Sequence, residues 1–181
     1  AYWRLFPKLL TPMSEMPEDL RRHMRYPMLL FHVQAEIYRI YHMRDPRTFY
    51  NKEDVWDVAK NIQGQQSRPE PNAPTYVVAN LPGEDHAEFF LILPFAPRNK
   101  DNLVGLMVAR CDGEHLGELL FLQLSKEKLF FGTMQIEARI NQSRLISKDL
   151  SLWNQQGSRV LRGQMLVFPV EHTLIYVLSL I

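Results

Sequence analysis

The sequence contains one cysteine, few glycines and no long apolar run, and each shortage excludes a class of protein. With Cys111 alone in 181 residues, neither an intrachain disulfide nor a metal site of paired thiolates can form. The eight glycines are scattered, so no phosphate-cradling loop occurs, and we expect no cofactor. The strongest apolar runs, 89–95 and 174–181, are shorter than the roughly 18 residues that span a bilayer. Both runs are typical of strands in a buried sheet.

Positive and negative charges are also nearly balanced, since 21 basic and 20 acidic residues leave a net charge of +1. No overall field would therefore concentrate a polyanion on the molecule, and the composition predicts no nucleic-acid partner. Hydrophobic residues make up 46% of the chain, which is enough for one well-buried core. We expect a single domain over residues 1–181, with Cys111 as a buried structural thiol.

Residues 1–62 are predicted to be helical. A helix start is indicated at Met16–Leu20, where a proline and two acidic residues follow one another. A longer helix is expected from Tyr26–Pro27 to about Arg44, before the next proline. It has two apolar stripes at helical spacing, which predicts a largely buried helix: Leu30, Val33, Ile37 and Ile40 in one, Phe31, Ala35 and Tyr38 in the other. Asn51–Val58 is predicted to be a further short helix.

A Pro/Gln-rich loop over 63–74 precedes a part rich in strands, 75–181. The loop has little apolar area to bury, so we expect it to be exposed, without ladder pairing, and the most mobile segment. Turn residues then separate four short strands of an antiparallel meander: 75–81, 88–95, 103–111 and 118–124. Two short helices are expected within 133–152, and a final strand pair at 159–170 and 173–179. The whole is an α+β fold with a sheet of about six strands.

No catalytic motif stands out, and histidines give little support for a metal. His32 and Glu36 lie four residues apart on the long helix, but no third ligand is near, and His32 is expected to be half-buried. His86 and His115 adjoin carboxylates in predicted turns and are interpreted as solvated. Ser158 lacks the glycine frame of a nucleophile elbow. We therefore predict no metal and no catalytic residue.

The best candidate for a functional polar cluster combines arginines, carboxylates and amides at strand ends and in the last third of the chain. Arginine forks bind carboxylates at two points and amides satisfy backbone groups, so the set either recognises a ligand or joins the sheet to its helices. An enzyme with a carboxylate and arginine pocket is the alternative function. The candidate residues are Arg98, Asp101, Asn102, Arg110, Asp112, Glu137, Arg139, Gln155 and Arg159.

Several long motifs resemble one family over nearly the whole chain. They include Met16-Pro-x-Asp-Leu-Arg-x-His-x-Arg-Tyr-Pro27, Phe49-Tyr-Asn-Lys-Glu-Asp54, Leu93-Pro-Phe-x-Pro-Arg98, Ala109-Arg-Cys-Asp-Gly-Glu114 and Trp153-Asn-Gln-Gln-Gly-Ser-Arg159. These motifs are similar to the C-terminal region of uncharacterised protein family 0182, multi-pass bacterial membrane proteins. The resemblance implies a cell-membrane protein whose present part lies on the extracytoplasmic side. It brings no activity or cofactor with it.

On this basis the expected function is that of a non-catalytic binding or interaction module. Its expected partners are the parent protein's own transmembrane region and the membrane surface, with an extracytoplasmic protein or ligand as a further possibility. A contiguous exposed apolar patch near the N-terminus would support this hypothesis. Two unpaired carboxylates that reach a common point in a deep pocket would favour the enzyme instead.

Overall fold

The computed structural model describes residues 2–64, 68–155, 157–171 and 173–181, and it confirms the predicted α+β class. The helices are α1 (Tyr2–Leu5), α2 (Glu18–Arg22), α3 (Met28–Tyr41), α4 (Pro46–Asn51), α5 (Thr133–Gln142) and α6 (Arg144–Trp153). The strands are β1 (Trp56–Val58), β2 (Lys60–Asn61), β3 (Glu70–Pro71), β4 (Thr75–Asn80), β5 (Ala87–Pro97), β6 (Gly105–Arg110), β7 (Leu119–Gln123), β8 (Leu166–Val170) and β9 (Thr173–Val177).

Strand β5 organises the main sheet, which has five antiparallel strands. Strand β6 pairs along one edge of β5, and β7 pairs with β6. The other edge of β5 is shared, because β4 pairs with residues 87–92 and β1 with residues 95–97. The predicted meander of four strands is therefore confirmed as β4 to β7. Two small antiparallel ladders, β2–β3 and β8–β9, complete the described sheets.

The main sheet is buried on both faces, as the apolar run at 89–95 predicts. Alternate side chains of β5 point to opposite faces and join two separate clusters. Leu91, Leu93 and Phe95 pack with Phe31 of α3 and Trp56 of β1. The opposite cluster contains Phe90, Ile92, Leu106, Val108 and Val167, so β8 covers the second face.

Helix α3 lies where it is predicted, but only one of its two apolar stripes is buried. Phe31 and Ala35 have no solvent exposure and pack on the sheet. Leu30, Val33 and Ile37, from the other stripe, are about half exposed. The expectation of a largely buried helix is wrong, because no other element of the described chain covers this side of α3.

The short helix predicted over Asn51–Val58 is also wrong, since the chain turns and enters the sheet. Helix α4 ends at Asn51, and Lys52 takes a left-handed conformation with φ of 55°. Trp56 and Val58 are buried on either side of the half-buried Asp57, which is the period-two pattern of a strand. Pairing with the central strand outweighs the local helix signal there.

The predicted loop over 63–74 is not free of ladder pairing. Glu70 and Pro71 pair with Asn61 and Lys60, which corrects that expectation. A proline fits this position because the ladder is only two residues long, so little backbone pairing is lost. The prediction of greatest mobility falls in part on residues 65–67, outside the described residues.

The C-terminal part follows the prediction closely. Helices α5 and α6 correspond to the two short helices expected within 133–152, and β8 and β9 form the final hairpin. The first strand of that pair is shorter than predicted, since the described residues 159–165 make only two isolated bridges, from Arg162 to Gly64 and to Leu180.

Candidate functional site

The structure divides the nine predicted residues among several places, and they do not line one pocket. Arg98, Asp101 and Asn102 lie in the turn between β5 and β6, whereas Arg110 and Asp112 lie at the far end of β6. A six-residue strand is about 20 Å long, so these two groups are well separated. Their role in binding a ligand stays a prediction.

Arg110 is the centre of a buried charge cluster. Its guanidinium binds both carboxylate oxygens of Glu88, with 2.7 Å from Nε to Oε2. The third nitrogen, Nη1, lies 3.3 Å from Glu84 and 3.3 Å from Glu118. Arg110 and Glu88 are 4% and 2% exposed. The hydrogen bonds that Arg110 donates to Glu88 raise the pKa of Arg110 further above its usual value, so the cation is permanent.

Two histidines lie at the rim of this cluster. His86 Nε2 is 3.2 Å from Glu88, and His115 Nδ1 is 3.1 Å from Glu118. Both side chains are largely exposed in turns, as predicted from the sequence. Glu84, His86 and Glu88 have potential metal-ligand atoms within 4.8 Å of one another. The guanidinium already occupies both oxygens of Glu88, however, and so supplies the positive charge that a metal would bring.

Asp112 and Cys111, which follow Arg110, are structural in these surroundings. Asp112 Oδ2 accepts a hydrogen bond from the backbone N–H of Phe89 at 2.7 Å. Cys111 is buried, and its sulfur accepts from the N–H of Tyr26 at 3.4 Å. Burial raises the pKa of the Cys111 thiol, which makes it a poor nucleophile at neutral pH.

Glu137 forms a second buried charge cluster, which joins α5 to distant segments. Its carboxylate accepts from Arg162 Nη1 at 2.5 Å and from the backbone N–H of Ile62 at 3.1 Å. Arg162 also donates to Asn141 at 2.6 Å. One helical turn earlier in α5, the hydroxyl of Thr133 donates to the carbonyl of Lys60. Glu137 therefore links α5 to the segments around Ile62 and Arg162 instead of facing an open pocket.

The remaining predicted residues do not join this cluster. Arg139 lies on the exposed side of α5, with its guanidinium 3.9 Å from the centre of the Phe131 ring. Gln155 and Arg159 are exposed in the segment after α6. Ser158 lies in a turn, since its backbone N–H donates to the carbonyl of Gln155.

Sequence reasoning missed the partners that complete both clusters, namely Arg162, Glu84, Glu88 and Glu118. Glu88 is the one charged residue in the strand Ala87–Pro97, near its start, and a charge within an otherwise apolar strand indicates a buried partner. That signal was readable. Arg162 has no comparable signal, because its pairing with Glu137 spans 25 residues and depends on how α5 packs.

Exposed apolar side chains are concentrated on the N-terminal helices. Leu30, Val33, Ile37 and Tyr41 follow one another at helical spacing on α3 and are 47%, 48%, 52% and 68% exposed. We call these four residues the outer stripe. Among the described residues, 14 of the 28 exposed large hydrophobic side chains belong to residues 2–41. Exposed apolar area is therefore concentrated in less than a quarter of the chain.

The N-terminal segment, residues 2–25, also exposes large apolar side chains. It includes α1 and α2, yet none of its residues is buried, and its apolar side chains include Trp3, Phe6 and Leu9. Helices of four and five residues are far below the roughly 12 needed for marginal stability in water. No helix among the described residues has the length and apolar character needed to cross a membrane.

This is an α+β domain with two buried charge clusters and one large uncovered apolar surface, and comparison with known proteins gives its family. The chain belongs to the uncharacterised protein family UPF0182, whose model matches residues 1–153. It is 66% identical over 177 residues to a UPF0182 protein of Solibacter usitatus, covering 98% of this chain and 20% of that protein. A UPF0182 protein of Methanospirillum hungatei is 52% identical over 178 residues, with 98% and 20% covered.

The chain thus spans about a fifth of the length of the curated relatives it matches. A UPF0182 protein of Nostoc sp. shows the same proportion, with 47% identity, 98% of this chain and 18% of the relative. No solved structure matches the chain. The family resemblance drawn from the motifs is confirmed.

Proposed function

We propose that this chain is a non-catalytic interaction domain of a larger multi-pass membrane protein, on the extracytoplasmic side, and that its apolar surface packs on the remainder of that protein. The observation that carries the proposal is the exposed apolar area of the N-terminal elements. Helices α1 and α2 are too short to persist alone and have no buried residue, and the outer stripe of the longer α3 is about half exposed. An apolar surface of this kind marks an interface.

The length of the relatives favours an intramolecular partner. Relatives matched over 98% of this chain have about four fifths of their length outside the match, so ample polypeptide exists to cover the surface. The extracytoplasmic position and the transmembrane partner follow from the family resemblance. Contact with the membrane surface is the alternative that the experiment below separates from packing within the protein.

The pairing of the carboxylates supports a role without catalysis. Glu88 is bound at both oxygens by Arg110, and Glu137 accepts from Arg162 and Ile62. Asp112 accepts a hydrogen bond from the backbone N–H of Phe89, and Asp101 is exposed in the β5–β6 turn. Among the described residues, these carboxylates do not converge on a common point as an acid–base pair would.

Charged substitutions in the outer stripe test the proposed interface. We expect Val33→Glu with Ile37→Glu to shift the melting temperature of the 181-residue chain by less than about 3 °C, because both side chains are already half exposed. In the full-length parent protein the same pair should remove about 3 kcal/mol or more of docking free energy. Limited proteolysis of the parent in membranes and in detergent would then show faster cleavage of this domain.

Val78→Glu is the matched control, because Val78 is an exposed apolar residue on β4, 64% accessible, away from the helices. Faster cleavage that persists in detergent supports packing on the parent chain. Faster cleavage only in membranes indicates the lipid surface, and unchanged cleavage in both contradicts the interface.

The buried thiol makes a test of membrane sidedness simple. We expect Lys148→Cys, exposed on α6, to react with a membrane-impermeant maleimide in intact cells that make the parent protein without its other cysteines. Cys111 should stay unlabelled until the protein is unfolded, because it is buried and its thiol has a raised pKa. Labelling at position 148 only after lysis would place the domain in the cytoplasm.

A further inference from the structure

A cleft beside the β5–β6 turn is separate from both the apolar surface and the buried charge clusters. It has a volume of about 710 Å³, within the range of small-molecule sites. Its lining comes from three segments: the turn into β1, the β5–β6 turn and the stretch after β7. Arg98 and Asn102, two residues predicted to bind a ligand, lie in it.

Positive charge is concentrated in this cleft. Its lining has five basic against three acidic side chains, a net charge of +2, whereas the whole chain has a net charge of +1. The basic residues are Lys52, Arg98, Lys100, Lys126 and Lys128, and the acidic residues are Glu53, Asp54 and Glu127. Charges that line a concave site focus the field there and attract ions of opposite sign.

These cations are available, unlike Arg110 and Arg162, whose guanidinium groups are bound by buried carboxylates. None of the four lysines forms an ion pair with another residue in the described ranges. Arg98 Nε lies 3.9 Å from Asp57, but that carboxylate is already bound by Arg39 at 2.8 Å. The guanidinium of Arg98 is therefore weakly held and can turn toward a ligand.

Two of the three acidic residues of the cleft accept hydrogen bonds from neighbouring side chains. Glu53 accepts from the side chain of Asn51 at 2.8 Å, and Asp54 accepts from the indole N–H of Trp56 at 3.1 Å. The floor is apolar, with Val55 and Leu103 each 3% exposed. An apolar floor below a basic rim suits an anion that also has an apolar part.

We infer that this cleft binds a multiply charged anion of small-molecule size, with phosphate or similar acidic groups, either free or as a lipid headgroup. The lysines supply charge, while Arg98 supplies a two-point donor and Asn102 a neutral one. This inference does not depend on the proposed packing of the N-terminal helices.

Titration of the 181-residue chain with inorganic tripolyphosphate tests the site by calorimetry. We expect saturable binding at about 20 mM salt that weakens at about 200 mM. Lys126→Gln with Lys128→Gln should weaken binding at least about tenfold. Lys8→Gln with Lys148→Gln removes the same charge from exposed positions outside the cleft and should leave the affinity within about twofold. Absence of saturable binding, or equal losses in both double variants, would overturn the inference.

Vesicles identify the source of the anion. The chain is cosedimented with vesicles of phosphatidylglycerol and phosphatidylcholine. A lipid headgroup is supported if tripolyphosphate displaces the chain from the vesicles and if the Lys126→Gln/Lys128→Gln variant does not cosediment. Tripolyphosphate binding without cosedimentation supports a soluble anion. Cosedimentation equal for this variant and the original chain, without tripolyphosphate binding, assigns membrane contact to the apolar surface and refutes the cleft.

Discussion

Replacing Arg110 with methionine is expected to lower the free energy of unfolding by about 3–5 kcal/mol, because it leaves Glu88 buried without a counter-charge. For a chain of this size the loss corresponds to a fall in melting temperature of about 10 °C. Urea unfolding followed by circular dichroism measures it.

Two further variants separate charge from packing. Arg110→Met combined with Glu88→Leu removes both charges and should recover much of the lost stability. Arg110→Lys keeps the charge but cannot bind both oxygens of Glu88 in a planar fork, so an intermediate loss is expected. If the single and double variants are equally unstable, the pairing of Arg110 with Glu88 is not the source of the effect.

Replacing Gly132 with alanine is the second change with a large expected effect. An added Cβ would lie 1.6 Å from the backbone carbonyl oxygen of Asp101, and backbone cannot rotate away as a side chain can. The β5–β6 turn or the start of α5 would have to move, and with α5 the contacts of Thr133 and Glu137. We expect a loss of at least about 3 kcal/mol, measured by urea unfolding.

Gly83→Ala provides the comparison for this variant. An added Cβ at Gly83 meets no atom within 4 Å, but its φ of 88° disfavours alanine. We expect Gly83→Ala to lower the free energy of unfolding by about 1 kcal/mol, and only because alanine disfavours this backbone conformation. A Gly132→Ala variant no less stable than Gly83→Ala would show that the close approach to Asp101 is relieved at little cost.

Local patterns were sufficient to predict those elements whose neighbours are close in sequence. The meander β4 to β7 follows from short apolar runs between turn residues, since each strand pairs with the next. Helices α5 and α6 likewise lie within the stretch predicted for them. The family resemblance depended on long motifs and was independent of these patterns.

Elements that depend on distant partners were predicted less well. Residues 56–58 form a strand because residues 95–97 offer an open edge, which no local window can reveal. The exposure of the outer stripe was also hidden, because an apolar stripe has the same sequence pattern whether it is covered by this chain or not.

The candidate site shows the same limit. The sequence analysis grouped Arg110 and Glu137 in one cluster, whereas each has its own distant partner: Arg110 binds Glu88, 22 residues away, and Glu137 accepts from Ile62, 75 residues away. The lysines of the cleft were overlooked, because Lys52 and Lys126 come together only after the strands between them have paired.

The links made by Glu137 and its neighbours have a consequence for the order of folding. Ile62 and Glu137 are 75 residues apart, and the side chain of Gln164 binds the backbone of Ala73, which is 91 residues away. Hairpins of the meander close short loops, but these links close very long ones, which cost more chain entropy. The meander therefore offers a nucleus that forms early, and Ile62 and Ala73 are joined to the C-terminal part of the chain in a late, slow step.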